Sequence, residues 1–317
     1  MGQIPLIETV HLKKYFSTPA GPLHAVDDIN LKIYTGKTLG VVGESGCGKS
    51  TLGRVILRLI DATAGQVLFE GKDILTLRPR QVKELKKQMQ IIFQDPYSSL
   101  NPRMTVEDII TEPLIIFNMY ENKEERKRYV ASLMDLVGLA SRLARSYPHE
   151  LDGGRRQRIG VARALALKPK FIVCDEPVSA LDVSIQAQIL NLMQDLQDEM
   201  GLSYLFITHD LSVVKHVSND ICVMYLGKVV ERCATEELFQ NTYHPYTQAL
   251  LSAIPIPIPH AAENRILLKG ELTSPINPKP GCRFAPRCSK AKEECFESSP
   301  DFREVAPNHL VACHLYQ

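Results

Sequence analysis

The sequence has no excess of charge: 37 Lys and Arg against 36 Asp and Glu leave +1 at pH 7, so no global field marks it as a nucleic-acid binder. No stretch approaches the roughly 20 consecutive apolar residues that cross a bilayer. The start, MGQIPLIETVHLKKYF, lacks the apolar core and cleavage site of a signal peptide, so a cytoplasmic chain is expected. There is no internal repeat. What remains is ordinary for a globular protein, 44% hydrophobic and 23% charged, and 317 residues suit one large domain plus an appendage.

Eight cysteines do not make a disulfide framework, which belongs to secreted chains under about 100 residues. Cys47, Cys174, Cys222 and Cys233 lie scattered in apolar or loop contexts, where buried free thiols are expected. Cys282, Cys288, Cys295 and Cys313 crowd into the last 36 residues. A composition shift near residue 240 divides the chain accordingly. Before it, short apolar runs (LGVVGESG, MQIIFQD, KFIVCDEP, SYLFITHD) alternate with helical patterns and read as strands of a largely parallel sheet buried on both faces. After it, nine of the 20 prolines fall between Pro255 and Pro307, and IPIPIPH and PINPKPG read as extended, loop-rich backbone.

The strongest signal is Gly43-Glu44-Ser45-Gly46-Cys47-Gly48-Lys49-Ser50-Thr51, which fits GxxxxGK[ST] and follows an apolar run. Glycines let the backbone curl so that its N–H groups and a helix N-terminus surround a phosphate. Lys49 then reaches the β- and γ-phosphates, and the Ser50 hydroxyl holds Mg²⁺. A second element, Phe171-Ile-Val-Cys-Asp175-Glu176-Pro177, ends a strand in two carboxylates: Asp175 for the Mg²⁺ shell and Glu176 to polarise the attacking water. Gln94 and His209 each close an apolar strand, and catalytic groups of parallel sheets gather at such ends. A third element, Leu151-Asp152-Gly153-Gly154-Arg155-Arg-Gln-Arg158, opens a helix on two glycines about 100 residues beyond the first loop. It reads either as an anion site offered to a nucleotide held by another subunit, or as an ordinary helix start capped by Asp152.

The order of these elements, with Ser179-Ala-Leu-Asp182, resembles the ATP-binding cassette ATPase of an ABC transporter over roughly residues 5–255. The resemblance implies an α/β P-loop NTPase fold with a RecA-like core, an antiparallel β subdomain and a helical subdomain over roughly 95–168. It makes Gly43–Thr51 Walker A, Gln94 the Q-loop residue and an Mg²⁺ ligand, Leu151–Gln157 the signature, Phe171–Asp175 Walker B, Asp182 the D-loop residue and His209 the switch histidine. Tyr15 matches the aromatic that stacks on adenine, with a packing tyrosine as the alternative. Two such cassettes dimerise head to tail, each ATP lying between one Walker A and the other subunit's signature.

The tail is similar to that of oligopeptide and dipeptide importer ATPases, in Asn241-Thr-Tyr-His-Pro-Tyr-Thr-Gln and Gly281-Cys-Arg-Phe-Ala-Pro-Arg-Cys288. The implied division is a nucleotide-binding domain at 1–240 and a small, loop-rich, cysteine-containing extension at 241–317. The implied function is ATP hydrolysis (ATP, Mg²⁺) driving peptide uptake at the cytoplasmic face of the cell membrane. Partners are a second ABC ATPase subunit, two permease subunits and an extracytoplasmic substrate-binding protein, with no nucleic acid. A nickel-complex importer shares the tail, and a soluble ABC ATPase is the alternative of another class. For Cys282, Cys288, Cys295 and Cys313 the resemblance favours a [4Fe–4S] cluster, with Zn²⁺ or unligated thiols as alternatives.

One departure stands out. The family's usual signature is LSGGQ, and here Asp152 stands at the serine and Arg155 at the glutamine position. A carboxylate facing a γ-phosphate is repulsive, unless Arg155 pairs with it or Asp152 turns to cap the helix. A heterodimer with unequal sites is therefore expected.

Overall fold

The computed structural model describes residues 4–254, 265–268, 270 and 274–317. The segment IPIPIPH, expected to be extended, lies almost wholly outside them. Along the chain the strands are β1 (Ile7–Thr18), β2 (Gly21–Ile33), β3 (Thr38–Val42), β4 (Ala64–Phe69), β5 (Lys72–Asp73), β6 (Met89–Ile92), β7 (Phe171–Asp175), β8 (Ser203–Thr208), β9 (Asp220–Tyr225), β10 (Lys228–Ala234), β11 (Phe302–Ala306) and β12 (His309–Ala312). The apolar runs seen in the sequence are β3, β6, β7 and β8. All residues of β3, β7 and β8 are buried, as strands covered on both faces must be.

The chain forms two compact units, one of 1–34, 38–76 and 206–317, the other of 35–37 and 77–205. In the first, β2-β1-β4-β5 make the antiparallel β subdomain, with Ile7 facing both Ile33 and Phe69 in register. A second sheet there runs β11-β12-β10-β9-β3, with β3 and β9 parallel. The second unit pairs β6 with β7 in parallel, includes the first three residues of β8 and is mostly helical elsewhere. Its helix Val106–Ile116 starts on a capping box, the Thr105 hydroxyl accepting from the Asp108 amide. Helix Gly153–Leu165 turns Ile159, Val161, Ala162 and Leu165 inward, and helix Val183–Met200 stops at Gly201, whose φ of +65° is the left-handed cap a glycine adopts freely.

The tail is less loop-like than its prolines suggest. Strands β11 and β12 form a hairpin whose two-residue turn, Pro307-Asn308, puts Asn308 at φ +58°, a conformation asparagine tolerates. Strand β12 adds to the edge of β10 through Glu231 and Arg232. Tyr246 and Phe284 are fully buried and pack edge-on against Tyr225 of β9, in one apolar cluster with Val42, Val223 and Leu238. At about 1.5–3 kcal/mol for each large side chain buried, these two aromatics tie the tail into the core of the unit. No helix among the described residues is long and apolar enough to cross a membrane.

Candidate functional site

The phosphate loop leaves β3 and enters helix Lys49–Ile56. At Gly43 and Gly48 a side chain does not fit. A Cβ on Gly48, at φ +104°, would stand 1.9 Å from the Ala25 carbonyl oxygen, and one on Gly43 would stand 2.1 Å from that of Met224. The loop is thus pressed onto its own floor, leaving its inner rim to backbone amides. Lys49 is buried, and its ammonium donates to the carbonyls of Gly43 (2.7 Å) and Glu44 (3.0 Å). Cys47 is also buried, and burial raises its thiol pKa, so it packs as a neutral side chain. Ser45 and Gly46 are exposed; Ser50 and Thr51 are half-buried at the helix start.

Tyr15 lies in the same unit. Its ring stacks on His24 with centroids 3.8 Å apart, and its hydroxyl donates to Asp27 at 2.5 Å. Burial, then this bond to a carboxylate, pushes the Tyr15 pKa upward. Burial also opposes the charge on Asp27, yet the Tyr15 hydroxyl, Arg283 and His24 outweigh it and hold the carboxyl below its ordinary value. His209 follows the last residue of β8 and is exposed.

The second unit carries the carboxylates. Asp175 is the buried last residue of β7, and Glu176 beside it sits at φ +49°, a conformation that costs a non-glycine residue about 1–3 kcal/mol. Strain of this kind persists where it aims a side chain. Gln94, at the end of β6, meets it: its Nε2 donates to Glu176 Oε2 at 3.0 Å across 82 residues. Gln94 was expected on Mg²⁺; here its amide nitrogen engages Glu176, the expected base. Asp182 is the exposed N-cap residue of helix Val183–Met200 and accepts no capping bond through its side chain.

At the signature helix both readings of Asp152 are realised together. Its Oδ1 accepts from the Arg155 amide at 2.8 Å as an N-cap, and its Oδ2 lies 3.4 Å from Arg155 Nε. Gly153 and Gly154 allow helix Val183–Met200 and the turn before it to come close: a Cβ on Gly154 would stand 2.6 Å from Ile185, and one on Gly153 3.0 Å from Leu181.

The tail cysteines are gathered, Cys282 donating its amide to the Cys295 carbonyl at 2.7 Å, but all four are free thiols. Among the described residues no group of three or more His, Cys, Asp or Glu is arranged to hold a metal ion. Burial pushes the Cys282 thiol up to about 11 and raises those of Cys288 and Cys313. The iron–sulfur cluster and its zinc alternative are not supported by this arrangement.

Three tail residues that sequence reasoning passed over reach the loop region. The Tyr246 hydroxyl accepts from the Glu44 amide at 2.9 Å, Arg287 Nη1 donates to Glu44 Oε2 at 2.6 Å, and Arg283 donates to Asp27 and to the Leu226 carbonyl. Tyr246 had a local signal, His244-Pro245 at a helix start. Its helix, Pro245–Ser252, is capped by His244 Nδ1, which accepts from the Tyr246 amide at 3.1 Å. The arginines had none, because their partners lie 243 and 256 residues away.

Residues 26–179 match the model of the ABC transporter family, and residues 230–295 match the oligopeptide/dipeptide transporter C-terminal region. The chain is similar to the oligopeptide transport ATP-binding protein AppF of Bacillus subtilis, 52% identical over 99% of this chain and 98% of that protein. It is equally similar, at 52% identity over 95% of this chain and 90% of its relative, to the oligopeptide transport ATP-binding protein OppF of Escherichia coli. Among solved structures it resembles cbiO1 of Clostridium perfringens, with a TM-score of 0.67, 26% identity, and 75% of this chain and 92% of that one covered. It also resembles the ATP-binding cassette MJ0796 bound to ADP and Pi, with a TM-score of 0.65, 28% identity, and 72% and 98% covered. The chain belongs to the ATP-binding proteins of ABC transporters, in the branch that carries the oligopeptide/dipeptide C-terminal region.

Proposed function

We propose that this ABC ATPase is the energy-coupling subunit of an importer of di- and oligopeptides. The observation that carries the reading is similarity along the whole chain, tail included, to oligopeptide transport ATP-binding proteins. The site residues take roles that follow from their chemistry. The loop amides and Lys49 bind the β- and γ-phosphates, and Tyr15 offers a ring face to adenine. Glu176, aimed by Gln94, accepts the proton of the attacking water, and His209 hydrogen-bonds the leaving γ-phosphate. Ser50, Asp175 and Gln94 carry hydroxyl, carboxylate and amide oxygens, the hard donors that would suit Mg²⁺, and the ion would supply neutralisation of phosphate charge.

The remaining parts of the reading concern assembly. Asp152, Gly153, Gly154 and Arg155 face the ATP of a second cassette, and Asp182 lies in that contact, in a heterodimer with unequal sites. Two permease subunits and an extracytoplasmic binding protein complete the importer, with this chain peripheral on the cytoplasmic face. We retain 1–240 and 241–317 as the functional division, with the helical segment 95–168 seating a permease. A nickel-complex importer is the second reading, favoured only by the shared tail. The [4Fe–4S] cluster stays outside the proposal, and metal analysis of anaerobically purified protein finding about four iron per chain would bring it in.

The test is ATP-driven uptake into proteoliposomes holding the native complex, isolated from membranes with its subunits identified. Uptake of labelled peptide that stops with Glu176→Gln supports the reading. Uptake of a nickel complex and not of peptide selects the second one, and a native complex holding nucleic acid and no permease overturns both.

A further inference from the structure

Glu44 is an awkward residue for its position. It follows the first glycine of a loop whose amides are arranged for an anion, and it places a carboxylate there. The tail answers on both of its polar ends. Its amide donates to the Tyr246 hydroxyl (2.9 Å), and its carboxylate is met by Arg287 (2.6 Å). The ion pair is largely withdrawn from water, with Arg287 10% and Glu44 26% exposed, so screening weakens it little. Arg287 sits in the short turn Ala285–Arg287, next to Phe284, which is fully buried in the core cluster with Tyr246. The position of Arg287 is therefore set by packing. A second tail arginine, Arg283, is the ion-pair partner of Asp27, which in turn holds the Tyr15 hydroxyl. Both strands of this contact run from the segment Cys282–Cys288 to residues read as binding the phosphates and the adenine.

We propose that Arg287 is a positioning residue of the nucleotide site: it neutralises Glu44 and, with Tyr246, fixes the entry limb of the phosphate loop, so that the ATP affinity of this cassette is set by its C-terminal extension. The proposal rests on the reading of Gly43–Thr51 as the ATP loop. A bare carboxylate within ~10 Å of a polyphosphate, at an effective dielectric of about 20, weakens binding by about tenfold. Hydrolysis, which depends on Glu176 as the base, is touched less.

The experiment measures binding of a fluorescent ATP analogue and steady-state ATPase kinetics on the full chain. Arg287→Ala is expected to raise Kd and KM about tenfold with kcat within about twofold. Adding Glu44→Gln to it restores Kd to within about threefold of wild type, because the charge to be neutralised is gone; a merely structural role for Arg287 gives no such rescue. Glu44→Gln alone tightens ATP binding about two- to fivefold, since Arg287 then faces the phosphates without a competing carboxylate, and Arg287→Lys stays near wild type. An unchanged Kd in Arg287→Ala, or a double variant as weak as the single one, overturns the proposal. Should Arg287→Ala melt early, Glu44→Gln alone decides: weaker binding overturns it. Lys49→Ala separates the two readings. If it abolishes binding while Arg287→Ala changes nothing, only the role of Arg287 fails; if Lys49→Ala also binds normally, the loop itself has been misread.

Discussion

Two helices of this protein begin on glycines, and each start carries a carboxylate where an anion is expected. At the phosphate loop the carboxylate is Glu44, and its arginine comes from 243 residues away, 10% exposed and set by aromatic packing. At the signature helix the carboxylate is Asp152, and its arginine is three residues along, with the two side chains 59% and 48% exposed. The first pair is tertiary and shielded. The second is local, and water and salt can replace either partner; exposed pairs of this kind contribute about 0–1 kcal/mol. A charge that must stay neutral in every state is better held by the fold. One that stands in water is already screened and can be held by its neighbour.

The largest effect separates binding from chemistry, so that both helix starts can be compared by affinity alone. Glu176→Gln is expected to lower ATP turnover by about 10²–10⁴-fold while ATP binding persists, measured by phosphate release and by equilibrium binding. Turnover above about a tenth of wild type would remove Glu176 as the base. In that background Lys49→Ala is expected to weaken ATP binding by about 10–100-fold, because it removes a charge-assisted donor from the loop and touches nothing at the signature helix.

Acid should distinguish the two starts next. Burial lowers the His244 pKa from 6.5 to about 4, so His244 caps the Tyr246 helix as a neutral ring; the Glu231 carboxylate nearby works in the opposite sense. Above about pH 6.5 folded and unfolded chains both hold it neutral and its stabilisation is complete. Between 6.5 and about 4 the unfolded chain takes up the proton and the folded one does not, so stability falls as pH falls, by roughly 3 kcal/mol at the acid limit. His244→Asn keeps a capping oxygen without the titration. Thermal melts from pH 7 to 4 should therefore flatten in that variant by about this amount, and identical slopes would show that His244 is not the group responsible.

The smallest effect belongs to the exposed pair. Asp152→Ser is expected to raise ATP affinity or turnover at the partner's Walker A site by about two- to fivefold at low salt, less at 0.5 M. A fall in both would show that Asp152 and Arg155 work together as a variant signature and would end the case for unequal sites.

What the sequence made legible was encoded by short spacing. The phosphate loop, the Asp175–Glu176 strand end and the Asp152 cap each depend on residues within ten of one another, and β3, β6, β7 and β8 announced themselves as apolar runs. Gln94 was legible as a strand end but not as the partner of Glu176, since no local rule links residues 82 apart. Strands β11 and β12 were hidden among prolines, although Pro307-Asn308 between FREVA and HLVA is a turn signal. The cysteines illustrate the limit from the other side: their crowding was visible, but whether thiols converge on one ion depends on directions that spacing does not encode.

Glu231 on β10 has a consequence for synthesis. Its carboxylate is fully buried and accepts from the amides of Tyr243 and His244 and from His309 Nε2 on β12. As the ribosome extrudes the chain, β10 emerges 75 residues before His309, a gap of roughly 4–15 s at about 5–20 residues per second. Throughout that interval the strand has its carboxylate but not the imidazole, and β10 has an open edge. Strand β10 therefore cannot complete its pairing in the order in which the chain is made. Its free edge is covered only when β12 has arrived, and removing a few residues of that strand would be felt some 75 positions upstream.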